Sequence, residues 1–164
     1  MSIATTLIAQ HKFVRNRLLV TLTDIEKSEN PQEALAWMMP FGKGRAHIAW
    51  QMMHCAATLD RYLNVRVFGK EPLFPDLVAR FAGGSESLAQ VVPTSLEIRQ
   101  ALDQTTEPYF KYFESLTDDR LNQKANEAAD RTQMEVMFLL NWHESHHQGQ
   151  CHLIWNSFKA KAQA

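Results

Sequence analysis

Two histidines near the C-terminus, His143 and His147 in Asn141-Trp142-His143-Glu144-Ser145-His146-His147-Gln148-Gly149-Gln150, stand four residues apart within a strongly helical pattern. Side chains at that spacing share one helix face, with Cβ atoms about 5–6 Å apart. Two imidazoles so placed can reach one divalent cation. A second histidine-bearing segment runs from Gly44 to Leu63 and carries His47 and His54, seven residues apart and on one stripe. Either could complete a three-histidine set. Three neutral imidazoles leave coordination positions for water or a substrate atom, which is how catalytic metal sites differ from closed four-ligand structural ones.

The neighbouring polar residues carry weaker signals. His146 points about 100° away from His147, so it and His152 are expected at the helix surface or behind the ligands. His11 lies between Leu7 and Val14 on an apolar stripe; it is a possible fourth ligand, with a hydrogen-bonded boundary histidine as the simpler account. Cys151 follows His147 by four and would need to be a thiolate to ligate, so a small buried thiol is the stronger reading, as it is for Cys55. Gln150 can hydrogen-bond a ligand from outside. Asp60, Glu135 and Glu144 could orient an imidazole, but none has a telling spacing, and a solvated helix face is the default for each. Arg61, two turns after His54, is a candidate anion partner, with a surface arginine as the plainer reading. Gly149 costs a mid-helix position about 1 kcal/mol relative to Ala, so close approach of another helix or a ligand is expected there.

These residues must be carried by helices. Leu7, Val14, Leu18, Leu22 and Ile25 recur at helical steps and predict a first helix over about residues 3–27. A Pro- and Gly-containing connection through residues 37–44 follows, and a second helix runs from about Arg45 to Val67. Residues 68–92 read as loops. Thr94-Ser95-Leu96-Glu97 has capping-box spacing and opens a third helix toward Leu116, with a kink or restart expected at Pro108. Thr132-Gln133-Met134-Glu135 opens a fourth that reaches about Lys159 and carries the histidine motif. With no alternating strand pattern and no repeat, the chain reads as an all-α bundle with its site between facing helices.

Composition excludes several classes. The 164 residues suit one domain, and 17 Lys and Arg against 18 Asp and Glu give no basic footprint for nucleic acid. No apolar run approaches the roughly 20 residues of a membrane span, and the N-terminus lacks a secretory pattern, so a cytoplasmic protein that takes a small-molecule partner is expected.

The pattern His143, His147, Gly149, Gln150, together with the earlier Ile48, Ala49, Trp50 and His54, resembles the DinB-like (DinB/YfiT-like) family in both content and order. The resemblance covers nearly the whole chain. It implies a single four-helix bundle over residues 1–164 with up-down-down-up connections, and His54, His143 and His147 as the ligands of a divalent metal, zinc or nickel first and iron as a further candidate. It also implies frequent homodimers. Relatives of this kind include transferases and isomerases that use a low-molecular-weight thiol, so the resemblance implies activation of such a thiol or of water; a non-catalytic, metal-stabilised or stress-related interaction bundle is the alternative. That alternative would close the site with His11, His47 or Cys151.

Overall fold

Ser2 accepts the Thr5 N–H and so starts the first helix, α1 (Ile3–Glu26), whose buried side chains return every third or fourth residue from Ala4 to Ile25. In this computed structural model, which describes residues 2–40 and 46–161, the stripe includes the polar His11 and Arg15 among its apolar members. A short α2 (Pro31–Ala36) follows in a region expected only to end the first helix. Pro31 sets its first turn, and Ala34 and Leu35 are buried. Trp37 and Met39 then pack half-buried against the core, while residues 41–45, including the expected helix start at Arg45, lie outside the described residues.

Helix α3 (Ile48–Asp60) buries every residue but Trp50, the signature of a helix enclosed on all sides. It continues as a π-helical segment, Arg61–Val67, that ends at Gly69, whose φ of 65° lets its N–H close on the Val65 carbonyl. Asp60 is only 2% exposed, contrary to the solvated face expected for it. Its carboxylate accepts the Leu73 N–H (3.0 Å), the Phe74 N–H (2.9 Å) and the Asn64 amide (2.6 Å), pinning the next loop to the helix. That loop contains α4 (Pro75–Phe81), a helix too short to leave a periodic signal, which buries Phe81 against α3.

The capping box at Thr94 and Glu97 is present and opens α5 (Ser95–Glu114). This helix passes through Pro108 without the expected restart. Proline removes one backbone bond, but the next turns bury Tyr109 and Phe113 completely, and burying each such ring contributes about 1.5–3 kcal/mol. After α6 (Asp118–Leu121), the second capping box opens α7 (Gln133–Lys161), with Thr132 N–H donating to Glu135 (2.7 Å).

The described residues are all-helical, with no strand beyond an isolated bridge between Lys124 and Thr132. No described helix is long and apolar enough to cross a membrane. Helix α1 packs on α5 and α7, and so does α3. Two apolar clusters fill the interior. One joins Leu18–Ile25 of α1, the body of α3, Ile98–Leu102 of α5 and Cys151–Trp155 of α7. The other joins Ala4–Ile8, Leu59–Val67, Tyr109–Phe113 and Val136–Leu140. Between them, on α1, α5 and α7, runs a polar layer that includes His11, Arg15, Thr105, Asn141 and Glu144, and the histidines of α7 emerge at this level.

Candidate metal centre

On α7, residues 143 and 147 face α3 while Glu144 faces α1 and α5, as the 100° step per residue requires. The triad forms where α7 meets α3: one ring nitrogen from each of His54, His143 and His147 falls within 4.8 Å of the others. Ring centroids lie 4.9 Å apart for His54–His143 and for His54–His147, and 4.6 Å apart for His143–His147. The structure therefore brings together the histidines singled out for ligation and selects His54 over His47.

Hydrogen bonds on the far sides of the rings set the tautomers. His54 Nδ1 lies 2.6 Å from the Phe81 carbonyl, which can only accept, so Nδ1 carries the proton and Nε2 keeps its lone pair. His147 Nδ1 lies 3.2 Å from Gln51 Oε1. The Gln51 amide is itself oriented, because its Nε2 donates to the Ala46 carbonyl at 3.0 Å, so His147 also donates from Nδ1 and presents Nε2. His143 Nε2 stands 3.0 Å from His54 Nε2. Two nitrogens in that relation need either a proton or a cation between or beside them. A metal ligated by imidazole satisfies both, and the backing acceptors on His54 and His147 are the usual supports of such ligands.

Electrostatics keep the rings neutral. Burial lowers the pKa of all three; with the neighbouring His54 it takes His143 to about 4, and with the neighbouring His143 and His54 it takes His147 to about 3. At neutral pH each can offer a lone pair. Trp50 stacks flat on His54 at 4.7 Å and shields one face of it. Beside His147, an open pocket of ≈ 350 Å³ is lined in part by Met39, Trp50, Gln51 and Gln150. The residues present thus fit a divalent cation with one side open to a small molecule.

The other candidates are turned elsewhere. His47 caps α3: its Nδ1 accepts the Trp50 N–H at 3.0 Å and its Nε2 donates to the Leu88 carbonyl at 3.3 Å, so neither nitrogen is available. His11 bonds Asn141 Oδ1 through Nδ1 (2.8 Å), and its Nε2 lies 3.1 Å from Glu144, in ion-pair range though off the line of a hydrogen bond. Cys151 is buried in the apolar core, which pushes its thiol pKa up, and burial does the same to Cys55. Gln150 bonds the exposed ring of His146 (2.6 Å), which also stacks on Trp142, and His152 is exposed as expected. Glu135 caps its helix at the surface. Arg61 opens the π-helical segment half-buried. Among the described residues, apart from its own helix backbone, Gly149 has no atom within 4 Å of where a Cβ would stand, so none of them makes the close approach expected there.

Glu144 corrects the reading of a solvated carboxylate. It is 2% exposed, and although burial opposes its ionisation, Arg15 and then His11 hold its pKa well below the usual carboxylate range. Arg15 grips it in a bidentate pair through Nε and Nη2 and also reaches the Leu102 carbonyl at 3.0 Å. Gln51 and Phe81 were not anticipated as ligand supports. Gln51, one turn before His54 on its face, left a readable spacing; a carbonyl contributed by a loop leaves none.

A sequence model of the family described as DinB superfamily matches residues 6–151. No curated protein and no solved structure gives a significant match.

Proposed function

Because the chain belongs to the DinB superfamily, we propose that it is a metal-dependent enzyme in which His54, His143 and His147 hold one divalent ion, zinc or nickel before iron, that activates a low-molecular-weight thiol or water for transfer or hydrolysis. The observation that carries this reading is the convergence of three ring nitrogens, with the tautomers of His54 and His147 set by Phe81 and Gln51. A bound divalent ion supplies Lewis acidity and lowers the pKa of a coordinated thiol or water. The chain's own residues do the rest. Burial keeps the imidazoles neutral, Gln51 and the Phe81 carbonyl fix the orientation of His147 and His54, and the pocket beside His147 admits the small molecule.

The engagement of His47, His11 and Cys151 supports an open site over the closed, purely structural one. We further infer a single four-helix bundle with up-down-down-up connections. In support, α1 and α7 run from the Tyr109 cluster toward the Met52 cluster, and α3 and α5 run the other way. A homodimer belongs to the same reading. Exposed Phe138, Trp142 and Leu153 share the outer side of α7 with Gly149 and suit a second copy.

Elemental analysis of the tag-free protein beside His54→Ala and His147→Ala tests the centre. About one equivalent of metal, lost in both variants while helicity by circular dichroism is kept, is the expected result. Metal-free native protein, or metal indifferent to both changes, would overturn it; a metal-loaded protein inert toward thiol-transfer and hydrolysis substrates would leave the non-catalytic reading in its place.

A further inference from the structure

Trp50 stands between two cavities. One face of its indole covers His54, and the residue also lines a separate pocket of ≈ 230 Å³ walled by Phe81, Leu88 and Val91. Two of the residues on that wall each hold a buried polar atom with no hydrogen-bond partner among the described residues, Trp50 Nε1 and Ser85 Oγ. An indole N–H can only donate, and a buried donor left unpaired costs about 1–3 kcal/mol. The loop that brings Ser85 here is built for its place. Gly84, at φ 95°, makes the turn, Ser85 N–H closes on the Ala82 carbonyl, and the Ser87 hydroxyl and Leu88 carbonyl hold His47. At the rim, the exposed Arg80 lays its guanidinium over the Phe81 ring at 5.1 Å and makes no ion pair among the described residues; the exposed Glu86 shares the pocket wall, and the exposed Glu97 is near enough to Arg80 for its carboxyl to feel that charge.

We propose that this pocket is a second binding site, for a small apolar molecule that carries a carboxylate. Trp50 Nε1–H and the Ser85 hydroxyl donate to the carboxylate oxygens, Arg80 supplies the charge, and Phe81, Leu88 and Val91 take the apolar body. The volume has room for one small ring and its substituent. Glu86 is a solvated, screened charge that weakens anion binding without preventing it. None of these residues ligates the metal, so the site stands whether or not the centre does. An occupant would nevertheless sit against the two groups that hold His54 in place, the Trp50 ring and the residue whose carbonyl binds Nδ1.

The test is a titration of the full-length, ¹⁵N-labelled protein with benzoate, read on the indole N–H resonance of Trp50, which is assigned by its disappearance in Trp50→Phe. The expected result is a saturable shift of that resonance. Its affinity should weaken about tenfold in Arg80→Gln and several-fold in Ser85→Ala, and should strengthen in Glu86→Gln. Neutral benzamide should be indifferent to Arg80→Gln. Binding should persist in His147→Ala, which separates this site from the metal reading. No saturable shift, or a benzoate affinity unchanged in Arg80→Gln, would overturn the proposal.

Discussion

Replacing Gln51 by Leu isolates the contribution of a group that touches no metal. Leucine keeps most of the volume of a residue that is 3% exposed, and takes away both of its bonds: the acceptor for His147 Nδ1 (3.2 Å) and the donor to the Ala46 carbonyl (3.0 Å). His147 is then free to turn or to change tautomer, and either withdraws Nε2 from the cluster. Loss of such a supporting bond lowers metal affinity about 10–100-fold, equivalent to about 1.4–2.7 kcal/mol. The two groups left unpaired are only partly buried beside an open pocket, where water can take over part of their bonding, so the stability cost is at the low end, about 1 kcal/mol each. Competition for zinc against a chromophoric chelator measures the first effect, and urea denaturation of the metal-free protein measures the second. Gln51→Glu should restore affinity, because a carboxylate also accepts from Nδ1. Unchanged zinc affinity in Gln51→Leu, with affinity lost in His147→Ala, would refute the argument that Gln51 orients the ligand.

The remaining expectations concern pH, a glycine and a buried ion pair. With His143 at about 4 and His147 at about 3, protons compete with metal only in acid, so zinc retention should stay level well below the ordinary histidine value of 6.5; loss of zinc as pH falls through 6.5 would contradict this. The sign for the metal-free fold follows from the same shifts. The unfolded chain takes up protons near 6.5 that the folded rings refuse, so stability is complete above that pH and declines as pH falls toward 4, which urea midpoints across the range will show. Gly149→Ala should raise stability by about 1 kcal/mol in a helix with open space at that position; a lower melting temperature, or loss of a dimer in sedimentation, would mean another chain packs there. Glu144→Gln should cost about 3–5 kcal/mol by leaving Arg15 buried without its partner, and the protein that still folds should hold zinc more weakly, because the pair sets the rotation of α7 that presents His143 to α3.

The histidine cluster was legible because side chains that converge on one point obey a spacing: His143 and His147 stand one turn apart, and His54 lies on a facing helix. Periodicity alone left His47 and His54 equal, and what separates them is a helix boundary. His47 falls just outside α3, where its ring accepts the Trp50 N–H, while His54 falls one and a half turns in, facing α7. The extent of the long helices followed from apolar recurrence and two capping boxes. The short α2 and α4 did not, because helices of six and seven residues give the pattern too few turns to repeat.

The polar layer was misread for a physical reason that concerns function as well. Arg15 lies on the same stripe as Leu7, Leu18 and Leu22, and a charged residue there demands a buried partner, which a single helix cannot name. The partner is Glu144, adjacent in sequence to His143 but on the neighbouring side of α7. The pair thereby fixes the rotation of α7 against α1 and α5 at the level where the preceding residue, His143, presents its ring to α3. A purely apolar contact tolerates sliding and rotation between ridges, whereas a bidentate guanidinium–carboxylate pair with a further bond to Leu102 does not. The cost of burying two charges is therefore met at the one height of the fold where α7 must hold both its rotation and its register. This accounts for a charged waist between two apolar clusters that would otherwise have joined into one.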